Sequence, residues 1–338
     1  MTIRALKPQL SSNRGRVTRW RAVAALIACV WTGLAFGAEE FPTRTMRMVI
    51  PFPAGGPADF VGRLYSQHLT DLWGQQVVID NRSGASGIIG TDAAVRSNPD
   101  GYTLLFGAGS SLTIIPILMK NLPYDVFRDL SLIGLVANAP HVLAVRVSLP
   151  AKSVKELVAM AKQQPGKYTF ATSGTGGVVH MAGELFKYHA GIDILHVPFK
   201  GGAPATVALL AGEVDMMVND LSAVLVHVKS GKLLALAASH TRRLAPLPNT
   251  PTFSELGMPG IVSSTWWAIA VPVKTPAAVQ ARIVTAHNKV LARPGYIERL
   301  SDLAMEPLVL TPEQTAAFIK REIDMWQKVV TATNVRID

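Results

Sequence analysis

Short apolar runs alternate with amphipathic helical runs along the chain from Met46 onward. The run MRMVIPF predicts a strand, and residues 57–73 predict a helix with a single apolar stripe. That stripe comprises Phe60, Val61, Leu64, Leu69, Leu72 and Trp73. Two further predicted strands, QVVID and YTLLFG, flank a helix that runs through Ala93–Arg96. This alternation predicts a mainly parallel sheet covered by helices.

A second series of strands and helices begins near Asn138. The run HVLAVRV predicts a strand, and the following helix opens with a capping box, Ser153 to Glu156, and ends before Pro165. Four more runs predict strands, namely KYTFATSG, ILHVPF, EVDMMV and LLALAA. Near SSTWWAIAVP the pattern predicts a strand that crosses out of this second series.

The last two helices have recognisable starts. Thr275-Pro276 and Thr311-Pro312 each predict a capping threonine followed by proline at the first helical position. The final helix carries a stripe that we expect to be buried, formed by Phe318, Ile319, Ile323, Trp326, Val329 and Val330.

These elements predict two α/β lobes, the first completed by residues that follow the second. We expect residues 39–140 and 266–338 to form the first lobe and residues 141–265 the second. Two strands would cross between the lobes, near 138–143 and 262–268. A cleft between two lobes is a standard place for a ligand.

The N-terminal segment has the pattern of an export signal. Six of the basic residues precede residue 22, and an apolar core of 15 residues, AVAALIACVWTGLAF, follows them. Small residues then predict cleavage near Gly37 or Ala38, which makes residues 1–38 a signal peptide and the protein periplasmic. An uncleaved anchor is the alternative, although a membrane span needs about 20 apolar residues.

The net charge of +10 comes mainly from that segment. The rest of the chain carries 27 basic and 23 acidic residues and no basic run with interleaved aromatics, so nucleic acid is not an expected partner. The single cysteine, Cys29, lies inside the apolar core. LIAC is similar to a lipoprotein lipobox, but the residues after Cys29 stay apolar, so ordinary cleavage is favoured and lipidation stays open.

Five glycine-rich turns follow predicted strands: PFPAGGPAD, NRSGASGIIG, FGAGSSLT, ATSGTGGVVH and VPFKGGAPA. Such turns lie at the carboxyl ends of strands, where ligands bind. Glycine allows close backbone approach, and the first-turn N–H groups of the next helix favour an anion. Five such turns in one chain predict an anion-binding cleft.

The chain lacks the motifs that would accompany chemistry or a cofactor. It contains no phosphate-binding G-x-x-x-x-G-K-[ST], no complete G-x-G-x-x-G, no G-x-S-x-G and no H-E-x-x-H. The histidines are scattered without a metal-ligand pair. We therefore expect a binding protein that is not an enzyme and holds neither metal nor cofactor.

At this point an ordered set of motifs resembles a known family. PFPAGGPAD, GASGIIGTDAAVRSNPDGYTLLFG, ATSGTGGVVHMAGELF, HVPFKGGAPATVALLAGEVDMMV and SGKLLALAASHTRRLAPLPNTPTFSELG occur in that order. Together they are similar to the Bug (TctC-type) periplasmic substrate-binding proteins of tripartite tricarboxylate transport systems. The resemblance runs from about Pro42 to near the C-terminus. It implies a two-lobed Venus-flytrap fold that closes on a small carboxylate and delivers it to a membrane permease, or in some members to a sensor kinase.

The resemblance also implies ligand-binding positions in both lobes. In the first, the loop from Phe52 to Asp59 would grip one carboxylate through backbone N–H groups and water, and two serines would add hydroxyls. In the second, the turn after KYTFAT would hold the other end of the ligand, with a histidine from the next helix. The predicted ligand-binding set is Phe52, Ala54, Gly55, Gly56, Asp59, Ser110, Ser111, Thr172, Ser173, Gly174, Thr175, Gly176, His180, Phe199 and Asn219.

Several of these positions have a second interpretation. Asp59 falls at the third helical position if Gly56 caps and Pro57 opens the helix, so it either reaches back to the Gly56 N–H or contacts a substrate amino group. Phe199 replaces a tyrosine that many members have, which removes a hydroxyl. His180 could equally be a capping or core histidine. Asn219 and Asp220 follow a strand and could face the cleft.

The sequence thus predicts a monomeric periplasmic solute-binding protein for a small mono-, di- or tricarboxylate. The alternative is an exported α/β hydrolase or transferase that uses Ser173 and His180. Substitution of Ser173 by alanine discriminates between them, because it would weaken binding modestly in the first case and abolish an activity in the second. The ligand and the membrane partner are not specified by the sequence.

Overall fold

Strands and helices alternate throughout the computed structural model of this chain, which describes residues 41–336. The sheet and the candidate site belong to the compact unit that begins at Arg44. The predicted export segment, its cleavage site and Cys29 lie outside the described residues.

The described chain contains nine strands and eleven α-helices. The strands are β1 (Met46–Ile50), β2 (Val77–Asn81), β3 (Thr103–Ala108), β4 (Leu130–Arg146), β5 (Thr169–Thr172), β6 (Leu195–Pro198), β7 (Met216–Asp220), β8 (Leu233–Ser239) and β9 (Ser264–Pro272). The helices are α1 (Pro57–Trp73), α2 (Ile88–Val95), α3 (Ile115–Leu118), α4 (Val126–Asp129), α5 (Val154–Gln163), α6 (Val178–Ala190), α7 (Gly202–Ala211), α8 (Leu221–Lys229), α9 (Ala277–Leu291), α10 (Pro294–Asp302) and α11 (Pro312–Thr333). A single 3-10 turn at Ala85–Gly87 and a π-helical turn at Ser110–Ile114 complete the set.

The long strand β4 joins two parallel groups of strands into one sheet. The strand order is β2-β1-β3-β9-β4-β7-β5-β6, with β8 also paired to β4. Strands β1, β2 and β3 are mutually parallel, and so are β5, β6 and β7, while β9 and β4 run antiparallel between them. Two mainly parallel groups linked by crossing strands are what the sequence predicts. The lobe boundaries at 140 and 266 stay a prediction.

Each half of the sheet has its own apolar core, and helix α11 reaches both. Ile319 belongs to a cluster with Val49, Leu105 and Trp266 of the first half. Trp326 and Val329, further along the same helix, belong to the cluster built on the second half. The stripe predicted for this helix is therefore divided between two cores, and Phe318, Ile323 and Val330 are only partly buried.

Most predicted helix starts agree with the structure, and two details differ. Thr311 caps α11 with a complete capping box. Ser153 caps α5, but the Glu156 carboxylate accepts from the Lys152 N–H rather than from Ser153. Thr275 does not cap α9, because Pro276 keeps an extended ψ of 138° and the helix begins at Ala277.

The predicted stripe of α1 also needs correction. Phe60 is 41% exposed, whereas Tyr65, which the stripe omits, is fully buried. Phe60 shares the outer face of the helix with Arg63 and Gln67, which are also exposed. The buried apolar residues Val61 and Leu69 lie on the opposite face, together with Tyr65.

Candidate functional site

The loop between β1 and α1 is organised by one buried carboxylate. Gly55 has a positive φ of 82°, which an L side chain adopts only with strain. Gly56 is the extended N-cap residue (φ −87°, ψ 173°), and Pro57 opens the helix. Asp59 is therefore the third helical residue, as predicted. Its Oδ2 accepts from the Gly55 N–H at 2.9 Å, one residue earlier than the predicted Gly56 contact.

Asp59 has further partners that fix its role in the loop. Arg63 Nε donates to Oδ2 at 2.9 Å, and Asn81 Nδ2 donates to Oδ1 at 3.0 Å. The same Asn81 amide donates to the Phe52 carbonyl at 3.1 Å. Burial alone would raise the pKa of Asp59, but the hydrogen bonds from Arg63, Gly55 and Asn81 outweigh it and lower the pKa. Asp59 is thus an ionised group that shapes the loop.

The turn after β2 has an unusual backbone. Gly84, Ala85, Ser86 and Gly87 all have positive φ values, between 45° and 136°. Two of these residues carry side chains, so the conformation is strained and must be held by its surroundings. A Cβ on Gly87 would lie 3.1 Å from Ser111 Cβ and 3.3 Å from a Phe52 ring carbon. This turn therefore brings the β1 loop and the β3 loop into contact.

Ser110 and Ser111 begin the π-helical turn that follows β3. Both are buried, and the Ser111 hydroxyl donates to the Ala108 carbonyl at 3.3 Å. The Tyr124 hydroxyl donates to the Ser111 carbonyl at 2.8 Å. Four of the predicted positions, Phe52, Asp59, Ser110 and Ser111, thus lie in one cluster at the carboxyl ends of β1 and β3.

The loop between β5 and α6 repeats the backbone of the first loop. Gly176 has a φ of 78°, Gly177 is the extended N-cap residue (φ −83°, ψ 167°), and the helix begins at Val178. His180 is the third helical residue, and its Nδ1 accepts from the Gly176 N–H at 3.1 Å. The pattern Gly-Gly-x-x-acceptor therefore occurs twice, as GGPAD and GGVVH.

His180 is a buried neutral imidazole. Its ring stacks on His196 with centroids 3.9 Å apart, and its Nε2 lies 3.8 Å from Glu184 Oε1. Burial, together with the charges of His196 and Lys187, lowers the pKa of His180 to about 3. Burial and Lys187 likewise lower the pKa of His196 to about 4. Since Nδ1 accepts a hydrogen bond, the ring proton is on Nε2.

The remaining predicted residues of the second loop surround this pair. Thr172 Oγ1 forms a 2.6 Å hydrogen bond with His196 Nε2, and Phe199 N–H donates to the Thr172 carbonyl at 2.9 Å. Ser173 and Thr175 are exposed. The structure therefore leaves these two hydroxyls accessible and uses Thr172 to hold the neighbouring strands together.

Asn219 is the penultimate residue of β7, beside this loop, and its side chain has an unused donor. It is 3% exposed, its Oδ1 accepts from the Asp220 N–H at 2.9 Å, and its Nδ2 has no hydrogen-bond partner among residues 41–336. Parallel pairing of Phe170 with Met216 puts Ser173 and Asn219 at the same level of the sheet. A buried donor without a partner is destabilising, so this amide is suited to donating a hydrogen bond to a ligand.

Strand register shows how the two loop clusters face each other. Strand β3 ends at Ala108, which is level with Trp267 and therefore with Ala137 on β4. Strand β7 runs in the opposite direction and ends at Asp220, level with His141 on β4. The carboxyl ends of the two parallel groups thus approach each other along β4, four residues or about 14 Å apart.

This geometry suits binding rather than catalysis. The His180 acceptor nitrogen is occupied by the Gly176 N–H, and no hydrogen bond joins it to Ser173 within residues 41–336. In that same part of the chain, no three His, Cys, Asp or Glu side chains come together as metal ligands would. Two opposed helix starts, each with its loop held by a buried acceptor, define a two-lobed solute-binding protein.

Comparison with known families agrees with that class. Residues 61–335 match the family described as the tripartite tricarboxylate transporter family receptor (TctC). The chain therefore belongs to the TctC receptor family, which confirms the predicted resemblance. Because the family consists of transporter receptors, the protein is a substrate-binding protein and not an enzyme, and the hydrolase alternative is wrong.

Named relatives and solved structures extend the match over almost the whole chain. Protein BugT of Bordetella pertussis is 36% identical over 323 residues, which cover 95% of this chain and 99% of BugT. An R. palustris protein solved with adipate is 31% identical, with a TM-score of 0.79 over 88% of this chain and 99% of its own. MatC from Rhodopseudomonas palustris, solved with bound malate, is 29% identical, with a TM-score of 0.76 over 86% of this chain and its entire length. These structures confirm the two-lobed binding-protein fold.

Proposed function

We propose that this receptor closes on a small organic dicarboxylate, with one carboxylate at each Gly-Gly-x-x-acceptor loop. The observation that carries the proposal is the repeated loop. Gly55–Asp59 and Gly176–His180 share backbone angles and the same i−4 hydrogen bond, and they follow strands whose carboxyl ends are opposed. Two alike half-sites suit a ligand with two alike ends.

Main-chain donors would carry the recognition. The first N–H groups of a helix lack intrahelical partners, and the helix dipole favours negative charge beside them. In α1 the first helical bond is Phe60 N–H to Gly56, which leaves the preceding N–H groups of Ala58 and Asp59 for a ligand. Arg63 is committed to Asp59, so it orders the loop rather than holding the ligand itself.

Side chains would add selectivity at the second loop. Ser173 and Thr175 offer exposed hydroxyls, and Asn219 Nδ2 offers a buried donor. All of these can donate to a carboxylate oxygen. The relatives solved with adipate and with malate support a ligand of this class, since both are diacids.

Ligand binding can be tested by thermal shift. Ligand-stripped protein would be screened against malate, succinate, adipate, citrate and glutamate, and we expect at least one diacid to raise the Tm by several degrees at millimolar concentration. Replacement of Asn219 by leucine should remove most of that shift, whereas Asn334→Leu at the exposed end of α11 should leave it unchanged. The proposal fails if no acid in the panel stabilises the stripped protein.

We further propose that the protein is an exported monomer of the periplasm that delivers its ligand to the membrane permease of a tripartite transporter, or to a sensor kinase. The N-terminal signal pattern supports export, with cleavage near Gly37 or Ala38. No helix within residues 41–336 is long and apolar enough to cross a bilayer. N-terminal sequencing and size-exclusion chromatography of the protein recovered from a periplasmic extract would test cleavage and oligomeric state. Uptake of the labelled ligand by cells that lack the gene would test delivery.

A further inference from the structure

Glu322 lies on α11 between the two apolar cores. Ile319, one turn before it, packs in the cluster of the first half, and Trp326, one turn after it, packs in that of the second. The helix also contacts β4, the turn at Ser110–Ile114 and α6. Glu322 is thus placed where both halves of the sheet meet the same helix.

One oxygen of this carboxylate joins tryptophans from both cores. Glu322 Oε2 accepts from Trp266 Nε1 at 3.3 Å and from Trp326 Nε1 at 3.2 Å. Trp266 belongs to β9, at the level of Asn138 on the crossing strand β4. The two indoles are almost completely buried, so Glu322 is the acceptor that satisfies both N–H groups.

Trp266 in turn supports the binding loops. A Cβ on Gly109 would lie 3.1 Å from Trp266 Cε2 and 3.2 Å from Val178 Cγ2. Gly109 immediately precedes Ser110 of the first cluster, and Val178 is the first residue of α6, directly after the second loop. The indole therefore packs at the point where the β3 loop meets the start of α6.

An ionised carboxylate is energetically unfavourable at this partly buried position. Burial raises the pKa of Glu322, although the two indole N–H groups oppose the rise. Loss of the carboxylate would nevertheless leave two buried indole N–H groups without their acceptor, which is destabilising. The carboxylate therefore ties the position of one indole to that of the other.

We propose that Glu322 is a positioning residue for ligand binding, which fixes the Trp266 indole against Gly109 and so keeps the two loop clusters aligned. This inference rests on the proposed function. Glu322 does not itself contact the ligand; it acts through Trp266. A neutral oxygen acceptor should serve almost as well as the carboxylate, whereas an apolar side chain should not.

The test compares Glu322→Gln, Glu322→Leu and the control Asp324→Asn, an exposed acid on the same helix. Calorimetric Kd values would be measured for malate and adipate, together with Tm and the ligand-induced change in tryptophan fluorescence. We expect Glu322→Leu to weaken binding about tenfold, to lose the fluorescence change and to lower the Tm, because two buried indole N–H groups lose their acceptor. Glu322→Gln and Asp324→Asn should bind within about threefold of wild type.

Two further variants keep the inference testable if Glu322→Leu fails to fold. Trp266→Phe should weaken binding as Glu322→Leu does, and Trp326→Phe should lower the Tm with little change in Kd. Wild-type affinity in Glu322→Leu, or equal loss of affinity in the two tryptophan variants, overturns the positioning role alone. Absence of binding by the wild-type protein rejects the proposed function and this inference with it.

Discussion

The two binding loops share a backbone and differ in charge. Each has a left-handed glycine, an extended glycine cap, two helical residues and an acceptor that bonds the N–H four residues back. In the first loop the acceptor is the ionised carboxylate of Asp59, and Arg63 lies one turn further on. In the second it is the neutral imidazole of His180, with Glu184 one turn further on.

The difference in charge indicates that the i−4 hydrogen bond, and not the charge of its acceptor, is what the two loops require. The i−4 acceptor fixes the glycines. The charge of Asp59 is balanced by Arg63 on the next turn, whereas the neutral His180 needs no counter-charge. Lys187 lies 3.2 Å from Glu184 and balances that carboxylate in the second loop. The ligand side of each loop can therefore consist of the same main-chain donors although the buried acceptors differ.

Replacement of the His180 acceptor by aspartate, the acceptor of the first loop, should have the largest effect on stability. His180→Asp would bury a second carboxylate beside Glu184 without the arginine that Asp59 has, and we expect a loss of about 3 kcal/mol in the free energy of unfolding. His180→Asn is the neutral control of the same size, and His180→Asp/Glu184→Gln should recover part of the loss. Urea denaturation at pH 7 would measure all three. Equal stability of the Asp and Asn variants would contradict the charge argument.

Removal of Asp59, the acceptor of the first loop, should have the second-largest effect on stability. Asp59→Ala leaves the Gly55 N–H, Arg63 and Asn81 without their shared partner, and we expect a loss of about 2 kcal/mol in stability and at least tenfold in diacid affinity. Asp71→Ala is the control, since that carboxylate is 55% exposed on the same helix. Unchanged diacid affinity in Asp59→Ala would show that the loop binds the ligand without the Asp59 carboxylate, which would contradict its proposed role.

The neutral histidine should make stability depend on pH. The unfolded chain takes up a proton at His180 near the ordinary pKa of 6.5, whereas the folded chain resists protonation until its pKa of about 3. The unfolded state binds more protons between these values, so the free energy of unfolding falls as pH is lowered through that window. His180→Asn keeps an oxygen acceptor for the Gly176 N–H and should flatten the slope between pH 6.5 and 4. An identical slope in the variant would exclude His180 as its source.

The smallest effect expected is that of a methyl group on the left-handed glycine. A Cβ on Gly55 meets no atom of the described residues within 4 Å, so Gly55→Ala should cost only the backbone strain of its positive φ, about 1 kcal/mol. Gly202→Ala, also with open space but within a helix, is the control and should be neutral or slightly stabilising. A larger loss in Gly55→Ala would mean that the loop packs against something in solution.

The sequence predicts the local parts of this site well. Glycine turns at strand ends, the Asp59 position in the first helical turn and the crossing segments all follow from patterns within a few residues of each other. The repeat of Gly-Gly-x-x-acceptor escapes a search for motifs because its last residue changes from Asp to His. Alignment of the two loops by their helix starts would have found it.

Other features depend on contacts that no local pattern encodes. Asn81 of β2 bonds both Asp59 of α1 and Phe52 of the loop before it, and Ala85 and Ser86 adopt left-handed angles where only glycine would be expected. In the sequence, nothing distinguishes Glu322 from an exposed helical glutamate. Only the fold brings the Trp266 and Trp326 indoles to its carboxylate. Phe60 is exposed because the buried face of α1 is centred on Val61 and Tyr65, which places Phe60 on the outer face.

Calorimetric titration with matched diacids and monoacids tests the central claim most directly. Ligand-stripped protein would be titrated with adipate against hexanoate and with succinate against butyrate, pairs that share a chain length and differ by one carboxylate. The two-loop account predicts that at least one diacid binds at least 100-fold more tightly than its monoacid partner. Equal affinity for the two members of each pair would contradict it, because one loop would then be sufficient to hold the ligand.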